Sequence, residues 1–505
     1  MPEETMQGNP KETHDIIIVG AGVVGAMVAR TLARFDLNIL WIEKESDVCT
    51  GATSANSAIV HGGYAAPPGT VKAEMNVRAI PMWDQLSDEL NFGFSRCGTY
   101  VVAVGAEQRA ALDEQAARGA ANGIPVEIIS GEEMRQREPM VNPETTGALF
   151  CPVGGICDPW GATIAAAENA VMNGVRLERN TSFEDFIWDP VEPTRITGVK
   201  TNQGDLRGRW VINAAGVNSD TVMHKAGLRP EFHITPRRGE YQILDRNRFA
   251  MQTVLFPVPT KISKGIVVTT TLHGNTIVGP NAENLEDKYD AAVTADGLTE
   301  VWDGARNLVP SIDRRDVIAV FAGLRPGGNA SSAHPGVDYH RDFIIEVADG
   351  VQGLINLAGI ESPGLTAAPA IAERVVELLQ SSGETLTERP DWDPIRPARP
   401  IFRHLTHEEQ AALVAQDARY GRIICRCEYV TEGEIVAEIH APIPAETYDA
   451  IKRRTWLGTG RCQGAFDMPR VVDILARELD ADPVTVSKRG LGSEFLTRPT
   501  KMVEG

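Results

Sequence analysis

D-I-I-I-V-G-A-G-V-V-G, residues 15–25, sets a β-branched apolar run directly against a glycine-rich turn. The run reads as a buried strand, and Val23 to Phe35 behind it has an Ala-rich helical character. A second apolar strand, Leu37 to Ile42, ends at Glu43. Strand, turn, helix, strand and acidic terminus together make the dinucleotide fingerprint of an α/β fold. Gly20 permits the tight turn, Gly22 lets backbone approach a pyrophosphate, and Gly25 lets helix pack closely on strand. Val24 lies in the opening helical turn, whose N-terminus offers partial positive charge to phosphates. Glu43, 23 residues beyond Gly20, is placed to accept hydrogen bonds from a ribose, with Lys44 beside it. The competing reading is a tight turn in an α/β domain that binds nothing.

The motif occurs once in this form. An enzyme using NAD together with a flavin usually carries two such units, so a single N-terminal unit predicts FAD, reduced directly by substrate. Two later segments agree. Arg209 to Gly216, R-W-V-I-N-A-A-G, is another buried strand, ending in the small residues Ala215 and Gly216. Leu354 to Gly364, L-I-N-L-A-G-I-E-S-P-G, precedes an apolar helix from Leu365 to Leu379. Small residues at strand-to-helix junctions suit close approach of a cofactor, or simply tight packing.

At 505 residues the chain is expected to form about two or three domains. A net charge of −19, from 49 basic and 68 acidic residues, argues against a nucleic-acid partner. No apolar run is long enough for a membrane span. Met1 to His14 is polar, without the apolar core of a signal peptide, and reads as a disordered lead-in. Seven cysteines without scaffold spacing point to a reducing, cytoplasmic compartment.

Further blocks follow in order: T-S-A-N-S-A-I-V-H-G-G-Y (Thr53 to Tyr64), P-G-T-V-K-A (Pro68 to Ala73), C-D-P-W (Cys157 to Trp160), R-G-E-Y (Arg238 to Tyr241), A-G-L-R-P (Ala322 to Pro326) and A-G-I-E-S-P-G-L-T (Ala358 to Thr366). With these, residues 15–380 resemble the FAD-dependent oxidoreductases of the D-amino-acid oxidase superfamily. The likeness is strongest to its L-2-hydroxyglutarate oxidase and anaerobic glycerol-3-phosphate dehydrogenase branches. The resemblance implies a Rossmann-like FAD-binding domain interleaved with an α+β substrate domain on a mixed sheet. It implies that Thr53, Ser54, Asn56 and Ser57 line the flavin, that Gly323 lies near it, and that Gly359, Ile360, Gly364 and Leu365 close over its far end. It places His61 and Arg325 toward the substrate.

Those residues also make chemical sense alone. Oxidising an alcohol needs a base for the hydroxyl proton, and histidine suits that role. His61 is the candidate; the other reading is a structural histidine at a strand end. Arg325 can grip a carboxylate or phosphate with two parallel hydrogen bonds, or form a surface ion pair. Tyr241 can hydrogen-bond substrate or simply pack. Arg237 and Arg238 read as a solvated face. The glycerol-3-phosphate branch carries a lysine in the block after the glycine, where this chain has Ile360-Glu361-Ser362. That favours a small carboxylate over a phosphate, with Lys72 still able to add charge.

Pro390, Pro394, Pro397 and Pro400 crowd a charged stretch, so 381–420 reads as a linker, its first part lying over the preceding domain. His404 to Arg419 looks helical. Residues 421–500 then carry C-R-C-E-Y-V-T-E-G-E-I, K-R-R-T (Lys452 to Thr455) and G-R-C-Q-G. They resemble the small helical [2Fe–2S] module related to bacterioferritin-associated ferredoxin. Cys425, Cys427 and Cys462 match its ligands, and Asp467 stands where a fourth cysteine is expected. Carboxylate is a harder donor than thiolate. An altered [2Fe–2S] cluster, an empty or zinc-filled module and a structural trio of thiols all stay open.

The chain is therefore expected to be an FAD-dependent dehydrogenase. Its substrate would be a small anionic 2-hydroxy acid or polyol phosphate, and its electrons would pass to an acceptor protein, a second subunit or a quinone-linked carrier. An amine or amino-acid dehydrogenase, and a flavin-carrying subunit of a heteromeric enzyme, are the alternatives.

Overall fold

The computed structural model describes residues 13–259, 265–329 and 341–498. The expected lead-in lies outside them as far as residue 12, and the first strand, Thr13–Val19, starts two residues ahead of Asp15. This strand sits in the middle of an eight-stranded sheet, parallel to Ile39–Ile42 on one side and Gly204–Asn213 on the other. Ile16, Ile17 and Ile18 are all buried, because helices and loops cover both faces. That is why the run is continuously apolar and does not alternate. Gly204–Asn213 pairs in parallel with Leu354–Ala358. The segments that follow residues 19, 213 and 358 therefore emerge side by side at the carboxyl ends of parallel strands, where open α/β sheets bind ligands.

Helix Val23–Leu32 packs against helices Pro159–Met172 and Gly364–Ser381. Buried alanines (Ala26, Ala29, Ala166, Ala367) let the axes come close. The first helix stops at Leu32, short of the expected Phe35, because Phe35 pairs with Glu388 in an isolated bridge.

The second sheet has nine strands and is mixed. Val254–Pro257 runs parallel to Thr99–Val104, whereas Ile234–Leu244 and Val317–Gly328 form a long antiparallel pair. Arg237 faces Arg325 across that pair, and Tyr241 faces Phe321. The chain passes between the two sheets several times, so the two domains are interleaved.

Residues 382–400 hold no helix or strand and lie over the first domain. The Arg389 N–H donates to Arg34 O at 2.8 Å, and Arg396 and Arg399 both reach the buried carboxylate of Glu168. The helix expected from His404 to Arg419 spans His407–Gln416, opened by a reciprocal Thr406–Glu409 cap.

The C-terminal module has a short hairpin, Ile423–Cys425 with Val430–Thr431, and three helices, Glu432–Ile439, Tyr448–Thr455 and Met468–Glu478. Its own core includes Ile435, Ile451, Leu457, Val471 and Leu475. It is docked firmly on the first domain. Trp456 stacks on Trp160 at 4.6 Å, worth about 1 kcal/mol beyond buried area. The Trp456 indole N–H donates to Asp158, which also caps helix Pro159–Met172.

Asp47, wholly buried, takes Arg453 at 2.6 Å and Arg454 at 2.8 and 2.9 Å. Burial alone would raise the Asp47 carboxyl. The two guanidiniums outweigh it and hold the group at about 2, below its ordinary 3.8. A depressed carboxyl stabilises the fold above its unfolded value and loses that contribution as pH falls through its folded one. Docking should thus lose about 2 kcal/mol between roughly pH 4 and 2. Melting temperatures over that range will check this, and Asp47→Asn should flatten the dependence.

Candidate active site

A cleft of about 1750 Å³ opens where the two sheets meet, larger than a small-molecule pocket and roomy enough for a dinucleotide with a small substrate. Gly20, Gly22, Val24, Glu43, Lys44, Ala215, Gly216, Gly323, Ile360, Gly364 and Leu365 line it. Gly20 has φ +103°, and a Cβ there would stand 2.6 Å from Ala214 O. Gly20→Ala should combine that clash with about 1–3 kcal/mol of backbone strain. FAD affinity should fall at least about tenfold, as a fluorescence titration will read. Two of the expected cofactor residues act from outside the cleft. A side chain at Gly25 would run into Gly20 O, so Gly25 serves helix packing. Gly359, at φ +65°, serves the turn after Leu354–Ala358.

The Glu43 carboxylate accepts from Ala21 N at 2.6 Å and Glu45 N at 3.0 Å, and burial raises its pKa. It fixes the glycine turn from beneath. Thr53 Oγ1 accepts from Val23 N at 3.0 Å and so caps the helix behind that turn. Asn56 bonds Thr53 O and Ala58 N, both at 2.7 Å, while Ser54 donates to Gly51 O at 2.9 Å. Thr53, Ser54, Asn56 and Ser57 all line the cleft, but the first three spend their side chains holding the wall in shape. A rigid glycine turn at a helix N-terminus, open to a large cleft, fits the pyrophosphate of FAD.

His61, Arg325 and Tyr241 line the same cleft. The His61 N–H donates to Thr366 Oγ1 at 2.8 Å, tying two blocks 305 residues apart. Its Nε2 lies 3.3 Å from Ser362 Oγ, and its ring packs beside Phe256. Arg325 donates to Arg237 O, Arg238 O and Asn281 O at 3.2, 3.1 and 2.7 Å, so three carbonyls fix its guanidinium. Tyr241 is 4% exposed and stacked on Phe321 at 4.6 Å; burial raises its hydroxyl, partly opposed by Arg325.

The solvated-face reading of Arg237 and Arg238 is wrong. They sit in a central strand, where neighbours point to opposite faces. Arg237 lines the cleft, and Arg238, 4% exposed, pairs with Glu240, Glu283 and Asp290. Arg341 also lines the cleft, with Nη1 buried and lacking a hydrogen-bond partner among the described residues. No motif announced it; its place depends on how the chain returns to the sheet. Lys72 does not supply the extra charge expected of it. It is 3% exposed, and its Nζ donates to Glu361 at 3.1 Å. Asp449, Arg453 and Arg489, from the C-terminal module, reach the cleft wall as well.

The cysteine centre lies within the module. Cys425 and Asp467 are each 1% exposed and neighbour one another, while Cys427 neighbours Cys462. Burial pushes the Cys425 thiol up to about 12 and raises Cys427 as well, with the Cys462 side chain adding to the second. Among the described residues the donors stand as these two pairs; no group of three is drawn together tightly enough for a metal ion. Tyr448 donates its hydroxyl to Asp467 Oδ1 at 2.7 Å, and Asp467 Oδ2 is buried with no hydrogen-bond partner among the described residues. Three thiols and one orphaned carboxylate oxygen form a donor set of the right number for an iron–sulfur cluster. The seven cysteines are free thiols. No helix among the described residues is long and apolar enough to cross a membrane.

Residues 15–378 match the family of FAD dependent oxidoreductases, and residues 423–477 match the BFD-like [2Fe-2S] binding domain. The chain is 41% identical over 489 residues to a glycerol 3-phosphate dehydrogenase of Caloramator mitchellensis, covering 96% of this chain and 99% of that protein. It is 27% identical to the mitochondrial L-2-hydroxyglutarate dehydrogenase of Arabidopsis thaliana, over 72% of this chain and 83% of the plant protein. The dithionite-reduced, FAD-bound L-α-glycerophosphate oxidase of Mycoplasma pneumoniae superposes with a TM-score of 0.71 at 31% identity, covering 77% of this chain and all of that one. With its glycine turn, cleft and interleaved sheets matched over this length, the chain belongs to the FAD dependent oxidoreductase family and is an FAD-dependent oxidoreductase carrying a [2Fe–2S]-type module.

Proposed function

We propose that this enzyme oxidises glycerol 3-phosphate or a closely similar polyol phosphate. The observation that carries this is the set of three guanidiniums, Arg237, Arg325 and Arg341, lining the same FAD cleft as His61. Guanidinium forks match phosphate oxygens, and a dianion suits several of them. The absent lysine after Gly359 argues for a carboxylate. The arginines supply the charge that such a lysine would give, and the relative matched over nearly the whole chain acts on the phosphate. The Ile360-Glu361-Ser362 block keeps a 2-hydroxy acid as the second reading.

FAD, when bound, supplies the two-electron acceptor. His61 takes the hydroxyl proton at Nε2 once Ser362 Oγ, which orients the ring from 3.3 Å, gives that nitrogen up to the substrate. Arg325 spends Nε and Nη2 on three carbonyls, so in place of the two-pronged grip expected of it, it offers Nη1 alone, rigidly aimed, to the anionic end so that the carbinol lies near His61. Tyr241 and Phe256 wall the site. In the module, Cys425, Cys427 and Cys462 with Asp467 Oδ2 would hold the cluster. The Trp160 indole donates to Ser54 O at 2.9 Å in the cleft wall. The same ring stacks on Trp456, which stands shortly before Cys462 in the module. That placement supports an electron exit through the module to a protein or quinone-linked acceptor. The free thiols support a reducing, cytoplasmic setting.

The test is anaerobic mixing of the holoenzyme with glycerol 3-phosphate, L-2-hydroxyglutarate and a set of amino acids. Glycerol 3-phosphate should bleach the flavin absorbance fastest. Bleaching by the hydroxy acid alone would overturn the phosphate reading, and bleaching by amino acids alone would overturn both.

A further inference from the structure

K-R-R-T, residues 452–455, is a motif that the chemistry so far leaves unused. It ends helix Tyr448–Thr455 of the cysteine module, yet Arg453 lines the FAD cleft. Arg453 is 8% exposed, and its Nε is buried without a hydrogen-bond partner among the described residues. Its Nη2 holds Asp47 Oδ2 at 2.6 Å. Asp47 lies two residues before Cys49, whose N–H donates to Ala21 O at 2.9 Å in the glycine turn. The arginine therefore stands beside the loop that receives a pyrophosphate.

The salt-bridged chain it belongs to is unbalanced. Arg453 and Arg454 share Asp47; Arg454 and Arg399 share Glu438; Arg399 and Arg396 share Glu168. This connected, largely buried chain has four guanidiniums against three carboxylates, an excess of one positive charge. Buried charge is costly unless paired. Asp449, the nearby cleft-lining carboxylate, has Lys488 at 3.6 Å and so does not cancel the excess.

We propose that Arg453 is part of the FAD site: its guanidinium pairs with the cofactor's pyrophosphate, so the cysteine module completes the cofactor cradle of the first domain. This rests on FAD occupying the cleft. An anion there meets the part of Arg453 that lines the cleft and balances the network. The consequence is linkage, since whatever binds only the assembled cradle also stabilises docking of the module.

The test uses full-length protein stripped of FAD and titrated with FAD or with ADP, which carries the same pyrophosphate. Arg453→Gln should weaken both by about tenfold or more, the size of a lost charged hydrogen bond. The rise in melting temperature caused by saturating FAD should also be smaller in the variant. Unchanged affinities, or an FAD-induced rise equal to that of the wild type, would overturn the proposal, because Arg453 would then only hold the module in place. If Arg453→Gln does not fold, Arg453→Lys decides: it keeps the charge but loses the fork, so several-fold weaker FAD binding supports the contact and wild-type binding removes it. Wild-type protein that takes up no FAD is a separate result, which would end the cofactor reading itself.

Discussion

His61→Ala is expected to slow substrate reduction of the flavin by about 10²–10⁴-fold while FAD stays bound. The backbone N–H of His61 is fixed on Thr366 Oγ1, the ring has Ser362 Oγ at Nε2, and the side chain faces the cleft that the guanidiniums line. Removing it takes away the acceptor for the hydroxyl proton without disturbing the glycine turn. Added imidazole should restore part of the rate. Ser362→Ala should cost less, because its 3.3 Å contact only orients the ring. Anaerobic stopped-flow absorbance reads all three. A normal rate in His61→Ala would remove it as the base and leave it a structural histidine.

Asp467→Ala should strip the module of iron, whereas Asp467→Cys, which completes four thiols, should keep it. The reasoning starts from the orphaned Oδ2: a buried carboxylate oxygen with no partner is costly unless something takes it. Tyr448, on Oδ1, fixes the direction of the carboxylate. Tyr448→Phe should therefore weaken metal binding by about 10–100-fold, as loss of an outer partner does. Iron content per chain and the visible absorption of anaerobically purified protein measure each case. A full complement of iron in Asp467→Ala would show that the fourth donor lies elsewhere.

The glycine-rich opening announces itself because its chemistry is local. A continuous apolar strand, a glycine turn and a helix must be neighbours in sequence to cradle a phosphate, so D-I-I-I-V-G-A-G-V-V-G carries its meaning in a single short run. The C-x-C pair and Cys462 are legible for a related reason, since few residue types hold iron. Helix ends are less legible: Phe35 is taken out of its helix by Glu388, a partner far along the chain.

The substrate end is only partly legible. Arg325 can be singled out by its block, but Arg237 reads like solvated surface and Arg341 carries no signal. A guanidinium reads the same in sequence whether it faces water or a cleft. Strand register settles the matter: Arg237 sits opposite Arg325 in an antiparallel pair, and alternation sends Arg238 to the other face, into Glu240, Glu283 and Asp290.

Sequence alone thus established the dinucleotide turn, the flavin class and the cysteine module, because each is a short pattern whose geometry the backbone enforces locally. Tertiary structure decided which cations line the cleft, that Lys72 is consumed by Glu361, and that Arg453 of the module reaches the same cleft. Those facts depend on long-range packing and on where buried charges find partners, and neither is written in any run of neighbouring residues.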